Sequence, residues 1–119
     1  MSSGDTRALI DTAIEQVWRD VPALRKLNLI VRLELPARGD EAVWRVKLPE
    51  KQIGRDPAGD ARLDVSVQRV FFNALAGDPK ASIRDWVEAY EHGHVKVSGE
   101  PAVVKLLGNV IGRQLARAR

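Results

Sequence analysis

The sequence predicts an α+β fold in which a mostly antiparallel sheet of four to five strands is covered on one face by helices. Short stretches alternate apolar and polar residues, as half-buried strands do, and longer stretches carry apolar residues at helical spacing. Glycine and proline punctuate the boundaries between them. The predicted order is α-β-β-β-α-α-β-α, which is typical of helices grouped around hairpin-connected strands. We expect one domain, residues 1–119.

Composition places the chain among ordinary globular proteins, with 45% hydrophobic and 29% charged residues. No cysteine occurs, which excludes disulfides, thiolate catalysis and cysteine–zinc sites. The first residues lack the basic-then-apolar pattern of a secretory signal, and no run approaches the roughly 20 apolar residues of a membrane span. We therefore expect a soluble cytoplasmic protein.

The first helix is predicted over residues 5–21. Its apolar side chains recur on one face and its charged side chains on the other, and Pro22 ends it. We interpret this helix as a packing element with no chemical role.

Three strands are predicted next. Residues 28–35 and 42–48 alternate apolar and polar side chains and form a hairpin through a turn at 37–41. Residues 49–60 contain two prolines and two glycines, which indicate a loop. The third strand follows at 61–67.

The C-terminal half is predicted to be two helices, a strand and a final helix. The first helix runs over 67–76 with Gly77 as its C-cap, and the second begins at Asp78-Pro79 and ends at Gly93. A strand over 93–99 follows them.

Pro101 opens the final helix, because a proline at the first helical position lacks an N–H that would be unpaired anyway. Gly108 and Gly112 each cost about 1 kcal/mol of helix stability relative to alanine. We therefore expect this helix to end or hinge near Gly108. Our hypothesis is that residues 109–119 form a mobile basic lid.

The net charge of the chain is +3, and its C-terminal segment carries only basic charged residues. No acidic residue follows Glu100, whereas Lys105, Arg113, Arg117 and Arg119 do. Cations near a helix C-terminus complement the helix dipole, which is the favoured interpretation. The alternative is transient contact with an anionic membrane surface. Four charges are too few to indicate a nucleic-acid patch, so we expect no nucleic-acid partner.

No constellation of catalytic residues is evident. The sequence contains no serine-nucleophile elbow, no zinc-protease motif and no dinucleotide fingerprint. His92 and His94 would share one face of a strand, but Gly93 separates them at a predicted turn and no carboxylate pair completes a metal site. We expect no enzyme activity, no metal and no cofactor.

The C-terminal half contains more apolar residues than its helices need to cover one face of a small sheet. They are typical of a well-packed core, and they are also compatible with the lining of a cavity for an apolar ligand. Periodicity does not separate these two interpretations.

Several motifs, in this order along the chain, resemble the sterol carrier protein type 2 domain family. They are the strand Asp64-Val-Ser-Val, the helix Phe72-Asn-Ala-Leu-Ala-Gly77, a helix ending at Gly93, the strand Val95-Lys-Val-Ser-Gly99 and a helix with Leu106-Leu107. Glu100 stands where the family more often has aspartate.

The resemblance implies a non-catalytic lipid carrier with a hydrophobic tunnel between the sheet and the C-terminal helices. Its ligand would be a fatty acid, a fatty acyl-CoA, a sterol or another isoprenoid lipid. Carried over by position, the implied lining consists of Phe72, Leu75, Trp86, Tyr90, Leu106, Leu107, Val110 and Ile111.

Two rivals to the carrier function stay open at this point. One is a solid-cored interaction module, and the other is an accessory module that presents a lipid substrate to a separate enzyme. The sequence leaves the oligomeric state open between monomer and homodimer.

Overall fold

The computed structural model describes residues 3–37 and 40–117. A 3-10 helix, Pro22–Lys26, follows the first α-helix. The α-helices and strands, in chain order, are α1 (Ser3–Asp20), β1 (Leu29–Ala37), β2 (Asp40–Leu48), β3 (Gln52–Gly54), β4 (Leu63–Val67), α2 (Arg69–Ala76), α3 (Ile83–Glu91), β5 (Val95–Gly99) and α4 (Pro101–Arg117). Residues 38 and 39 of the predicted turn at 37–41 lie outside the described residues.

The sheet has five strands in the order β3-β2-β1-β4-β5. β1 is antiparallel to β2, with Leu33 opposite Trp44, and β4 is antiparallel to β5. β1 and β4 are parallel, with Leu33 opposite Val65, because the chain returns beside β1 after the β2–β3 hairpin. The predicted α+β class and mostly antiparallel sheet are confirmed, with one parallel pairing added.

Alternation along the strands divides the sheet into two faces. Leu29, Val31, Leu33 and Leu35 of β1 are buried, whereas the residues between them are only partly buried. Successive side chains of a strand point to opposite faces, so one face carries the core. The helices pack on that face.

The predicted loop at 49–60 contains β3, which pairs with β2. An alternation cannot be read from three residues, which explains why sequence periodicity missed this strand.

The start predicted for the second helix of the C-terminal half, at Asp78-Pro79, is wrong, since α3 begins at Ile83. The Asp78 carboxylate instead accepts the Lys80 backbone N–H at 2.9 Å and closes a turn. Ser82 caps α3, and its own backbone N–H donates to Asp85 at 2.8 Å.

The expected end of the last helix near Gly108 is also wrong, because α4 is continuous from Pro101 to Arg117. Its Leu107 and Ile111 pack against a cluster of buried apolar residues from α1, the 3-10 helix and α3. The burial of large apolar side chains outweighs the cost of two glycines, which is about 2 kcal/mol. The lid hypothesis for residues 109–119, of which 118 and 119 lie outside the described residues, stays a prediction.

Gly99 is required by the backbone, and we predict that Gly99→Ala lowers the free energy of unfolding by at least about 2 kcal/mol. Its φ is +129°, and a Cβ there would lie 2.5 Å from the carbonyl oxygen of Arg62 and 2.9 Å from Cα of Leu63. Urea denaturation measures the loss. In the matched variant Gly108→Ala, the new Cβ meets nothing within 4 Å, so we expect a gain of about 1 kcal/mol. Equal effects from the two substitutions would contradict this account.

Candidate functional site

A cavity of about 280 Å³ lies between the inner face of the sheet and the helices. Every residue of its lining is apolar. The lining consists of Ile10, Ala13, Ile14, Val17, Trp18, Leu24, Leu27, Leu29, Val31, Leu33, Val46, Leu48, Leu63, Val65, Val67, Phe72, Ile83, Trp86, Val95, Val97, Leu107 and Ile111.

The strands supply the floor of this cavity. Leu33 of β1, Val65 of β4 and Val97 of β5 lie side by side in the paired register and all contribute to the lining. Because alternate residues of a strand share a face, the inward residues of neighbouring strands form one continuous apolar surface.

Four of the eight residues predicted to line a tunnel lie on this cavity: Phe72, Trp86, Leu107 and Ile111. They come from α2, α3 and α4. Their contact with a ligand stays a prediction.

The other four predicted residues do not line the cavity. Tyr90 is 52% exposed and Leu106 is 44% exposed, so both lie on the outer side of their helices. Leu75 and Val110 are half-buried and pack against core clusters instead. The apolar stripe of each helix is wider than the arc that faces the cavity, and sequence spacing alone does not locate that arc.

Sequence reasoning missed α1, which contributes five lining residues to the roof of the cavity: Ile10, Ala13, Ile14, Val17 and Trp18. A helix that roofs a cavity and a helix that fills a core carry the same apolar stripe. No periodic signal could therefore have separated the two.

One buried amide joins α1 to α2 and α3. Gln16 is 4% exposed, and its Nε2 lies 3.1 Å from the Leu75 carbonyl, 3.3 Å from that of Ala76 and 3.1 Å from that of Asp78. Its Oε1 accepts a hydrogen bond from the Trp86 indole N–H at 3.2 Å. The amide thus satisfies the C-terminal carbonyls of α2 and fixes the Trp86 ring at the cavity.

Two further hydrogen bonds join the C-terminal end of α1 to the segment between α2 and α3. Arg19 donates to the Ala81 carbonyl at 2.8 Å, and the Asp20 carboxylate accepts the Ile83 N–H at 2.8 Å. Burial opposes ionisation of Asp20, but the hydrogen bonds from Arg19 and Ile83 outweigh it and lower its pKa. These links hold α1 against the connection between α2 and α3.

On the other side, ion pairs join α1 to the β2–β3 turn and to the 3-10 helix. The Lys51 ammonium lies 3.1 Å from an Asp11 carboxylate oxygen and 2.5 Å from one of Glu15, and these hydrogen bonds raise the pKa of Lys51. Arg25 lies 3.7 Å from the other oxygen of Glu15. Both cations also lie over the ring of Trp18.

The chemistry open to the cavity is limited by its lining, which contains no titratable side chain. Such a surface can bind an apolar molecule but cannot supply an acid, a base or a nucleophile. His92 and His94 lie elsewhere, with ring centres 6.4 Å apart, and His94 stacks on Phe71.

Within residues 3–37 and 40–117, no group of three or more histidine, cysteine, aspartate or glutamate side chains is placed to hold a metal ion. No helix in this part of the chain combines the length and the apolar character that a membrane crossing requires.

Neither a protein-family model nor a curated protein sequence matches the chain. Several solved structures are similar to the chain. The crystal structure of sterol carrier protein 2 like 2 from Aedes aegypti is similar with a TM-score of 0.57 and 21% identity, over 88% of this chain and 98% of that one. The solution structure of the palmitated form of that protein is similar with a TM-score of 0.56 and 20% identity, over 86% of this chain and 93% of that one.

A third similar structure is the apo form of sterol carrier protein 2 from Yarrowia lipolytica, with a TM-score of 0.49 and 19% identity over 82% of this chain and 77% of that one. The likeness to the two Aedes aegypti structures shows that the chain has the sterol carrier protein type 2 fold, as its motifs predicted. At about 20% identity to the Aedes aegypti protein, the likeness concerns the fold.

Proposed function

We propose that the protein is a cytoplasmic, non-catalytic lipid carrier that holds an apolar ligand in the cavity between the sheet, α1 and α4. The observation that carries this proposal is a wholly apolar cavity of about 280 Å³ in a domain of this size. Protein interiors are normally close-packed, with few voids larger than a water molecule. A cavity this large therefore calls for an occupant.

Water is a poor occupant, because a buried water needs two to four polar partners and this lining offers scarcely any. An empty cavity is also costly. At about 24 cal/mol per Å³, a fully enclosed void of about 280 Å³ would cost about 7 kcal/mol, so even a partly open apolar cavity that stays empty costs a substantial share of the net stability of a domain. An apolar ligand removes much of that cost when it binds.

The size of the cavity favours a slim ligand. Its volume of about 280 Å³ lies just below the roughly 300–1,000 Å³ typical of ligand pockets. Among fatty acids, fatty acyl-CoA, sterols and isoprenoids, a single acyl chain fits this volume best. The palmitated form of the Aedes aegypti protein is in keeping with that choice.

A membrane is the natural donor and acceptor of such a ligand. Lys105, Arg113 and Arg117 are exposed on α4 in the described structure, and they share one side of the helix. Cations on a helix beside the cavity favour brief contact with an anionic membrane surface. We include this contact in the proposal.

Native mass spectrometry of the purified protein, followed by tryptophan fluorescence during titration with dodecanoate, tests the proposal. We expect a co-purified lipid or a saturable change in emission, because Trp18 and Trp86 line the cavity. Trp44 is 1% exposed but lies outside the lining, so Trp18→Phe with Trp86→Phe should remove most of the response. A ligand-free mass together with no response to fatty acid, acyl-CoA or sterol would refute the carrier function.

A further inference from the structure

The cavity ends inside the protein at one end of the sheet. Leu35 of β1 and the facing Ala42 of β2 lie on the inner face of the sheet and are buried, yet neither lines the cavity. Arg69, at the start of α2, donates a hydrogen bond to the Leu35 carbonyl at 3.4 Å. Protein therefore covers the floor at this end, and the cavity stops before the edge of the molecule.

Three side chains form an end wall here: Val67 at the end of β4, Val95 at the start of β5 and Phe72 on α2. All three line the cavity, and Val67 and Val95 lie opposite each other in the strand register. Val67 and Phe72 are each 2% exposed, and Val95 is 8% exposed. The Phe71 ring stacks on His94 with ring centres 3.9 Å apart, which holds the start of α2 against the start of β5. The end wall is therefore shielded from solvent.

The opposite end of the cavity is less enclosed. Leu27, which follows the 3-10 helix, and Leu48, at the end of β2, both line the cavity and are only half-buried. Ile111 of α4 is half-buried in the same cluster and also lines the cavity. Leu48 faces Leu29, the first residue of β1. An apolar chain that enters from this side advances along the strands toward the end wall.

The separation of the two ends sets a length. Val67 lies four residues beyond Leu63 on β4, and Leu63 faces Val31 of the parallel strand β1. Val31 in turn lies two residues beyond Leu29, at the open end. Six steps along these strands, at about 3.3 Å each, span about 20 Å. An extended chain advances about 1.2 Å per bond, as the roughly 3.6 Å per three-bond residue of an extended backbone shows. The floor therefore matches an extended chain of about 16 carbons.

We propose that Val67, Phe72 and Val95 act as a stop that limits the apolar chain of the ligand to about 16 carbons. Each methylene group that is buried before the stop adds to the affinity. Carbons beyond that length fold back on the chain or stay outside the cavity, so they add little. This role, which rests on the proposed carrier function, makes unbranched acyl chains of limited length the substrate class.

Displacement calorimetry with the even-numbered saturated fatty acids from decanoate to eicosanoate, each competing with bound octanoate, tests the stop. For the parent protein we expect the affinity to rise about fifteenfold for each two added carbons as far as hexadecanoate, and then to level off or fall. Val67→Ala removes two methyl groups from the end wall, so we expect the rise to continue for about two carbons more. Val95→Ala should have the same effect, and it tests the stop independently of how well Val67→Ala folds.

Val46→Ala is the matched control. Val46 is 3% exposed, lines the cavity and loses the same two methyl groups, but it lies on β2 opposite Val31, away from the end wall. We expect it to leave unchanged the chain length at which the rise ends, whatever it does to the affinities themselves.

Three results would overturn the stop and leave the carrier function standing. They are a rise that continues to eicosanoate in the parent protein, an unchanged end point in both Val67→Ala and Val95→Ala, and an equal shift of the end point in Val46→Ala. If none of the fatty acids binds, the carrier function fails and the stop fails with it.

Discussion

Filling the cavity from α1 is expected to abolish ligand binding. In Ala13→Phe, the new ring enters the space that the ligand would occupy, because Ala13 lies on the cavity lining. We expect the affinity for dodecanoate to fall by at least about a hundredfold. The free energy of unfolding should rise by about 1–2 kcal/mol, since the ring buries apolar surface without displacing other side chains. Calorimetric titration and urea denaturation measure the two effects.

Ala8→Phe is the matched control, because Ala8 is exposed on the same helix. We expect it to change neither the affinity nor the stability by a measurable amount, apart from a small loss of helix propensity. The critical result is that Ala13→Phe should lower the affinity for dodecanoate and, at the same time, raise the free energy of unfolding. A variant that is less stable and still binds dodecanoate would mean that α1 does not roof the ligand site.

Gain of stability with loss of binding is the expected signature of a binding cavity. A close-packed core loses stability when a large side chain is forced into it, typically by 1–3 kcal/mol. A cavity kept open for a ligand lacks contacts that the empty protein would otherwise make. The same substitution therefore separates the carrier from the solid-cored interaction module that the sequence also allowed.

Most of the fold is predictable from the sequence because its elements are strongly periodic. Strand β1 alternates buried and partly buried residues along its length, and Pro101 starts α4 as expected. The failures occur where local signals compete. Asp78-Pro79 resembles a helix start, but Ser82 and Asp85 cap α3 a few residues later.

The candidate site is less predictable than the fold, and the reason is geometric. Phe72 and Leu75 both belong to the apolar face of α2, yet only Phe72 lines the cavity. Sequence spacing gives the direction of a side chain around its helix but not the rotation of that helix relative to the sheet. The position of Lys51 against α1 is still harder to predict, because it depends on a turn conformation that glycine would normally provide.

Removal of the Gln16 amide is expected to be the most destabilising polar substitution in the helical layer. In Gln16→Met the side chain keeps its approximate volume, but the carbonyls of Leu75, Ala76 and Asp78 and the Trp86 N–H lose this partner. The carbonyls of Leu75 and Asp78 keep the backbone N–H groups of Asp78 and Ala81, so the loss falls mainly on the Ala76 carbonyl and the Trp86 N–H. Each buried polar group left unpaired costs about 1–3 kcal/mol. We expect the free energy of unfolding to fall by at least about 2 kcal/mol, measured by urea denaturation. A shift in Trp86 emission should accompany it, because the indole loses its acceptor.

Gln52→Met controls for the chemistry of the substitution, because Gln52 is an exposed residue of β3. It should change the free energy of unfolding by less than about 0.5 kcal/mol. If Gln16→Met were equally mild, the amide would not be what holds α1 to α2 and α3. The position of Trp86 at the cavity would then depend on apolar packing alone, through its contact with Phe72 and the core cluster around it. A large loss in Gln16→Met would show instead that a polar link fixes the wall of an otherwise apolar site.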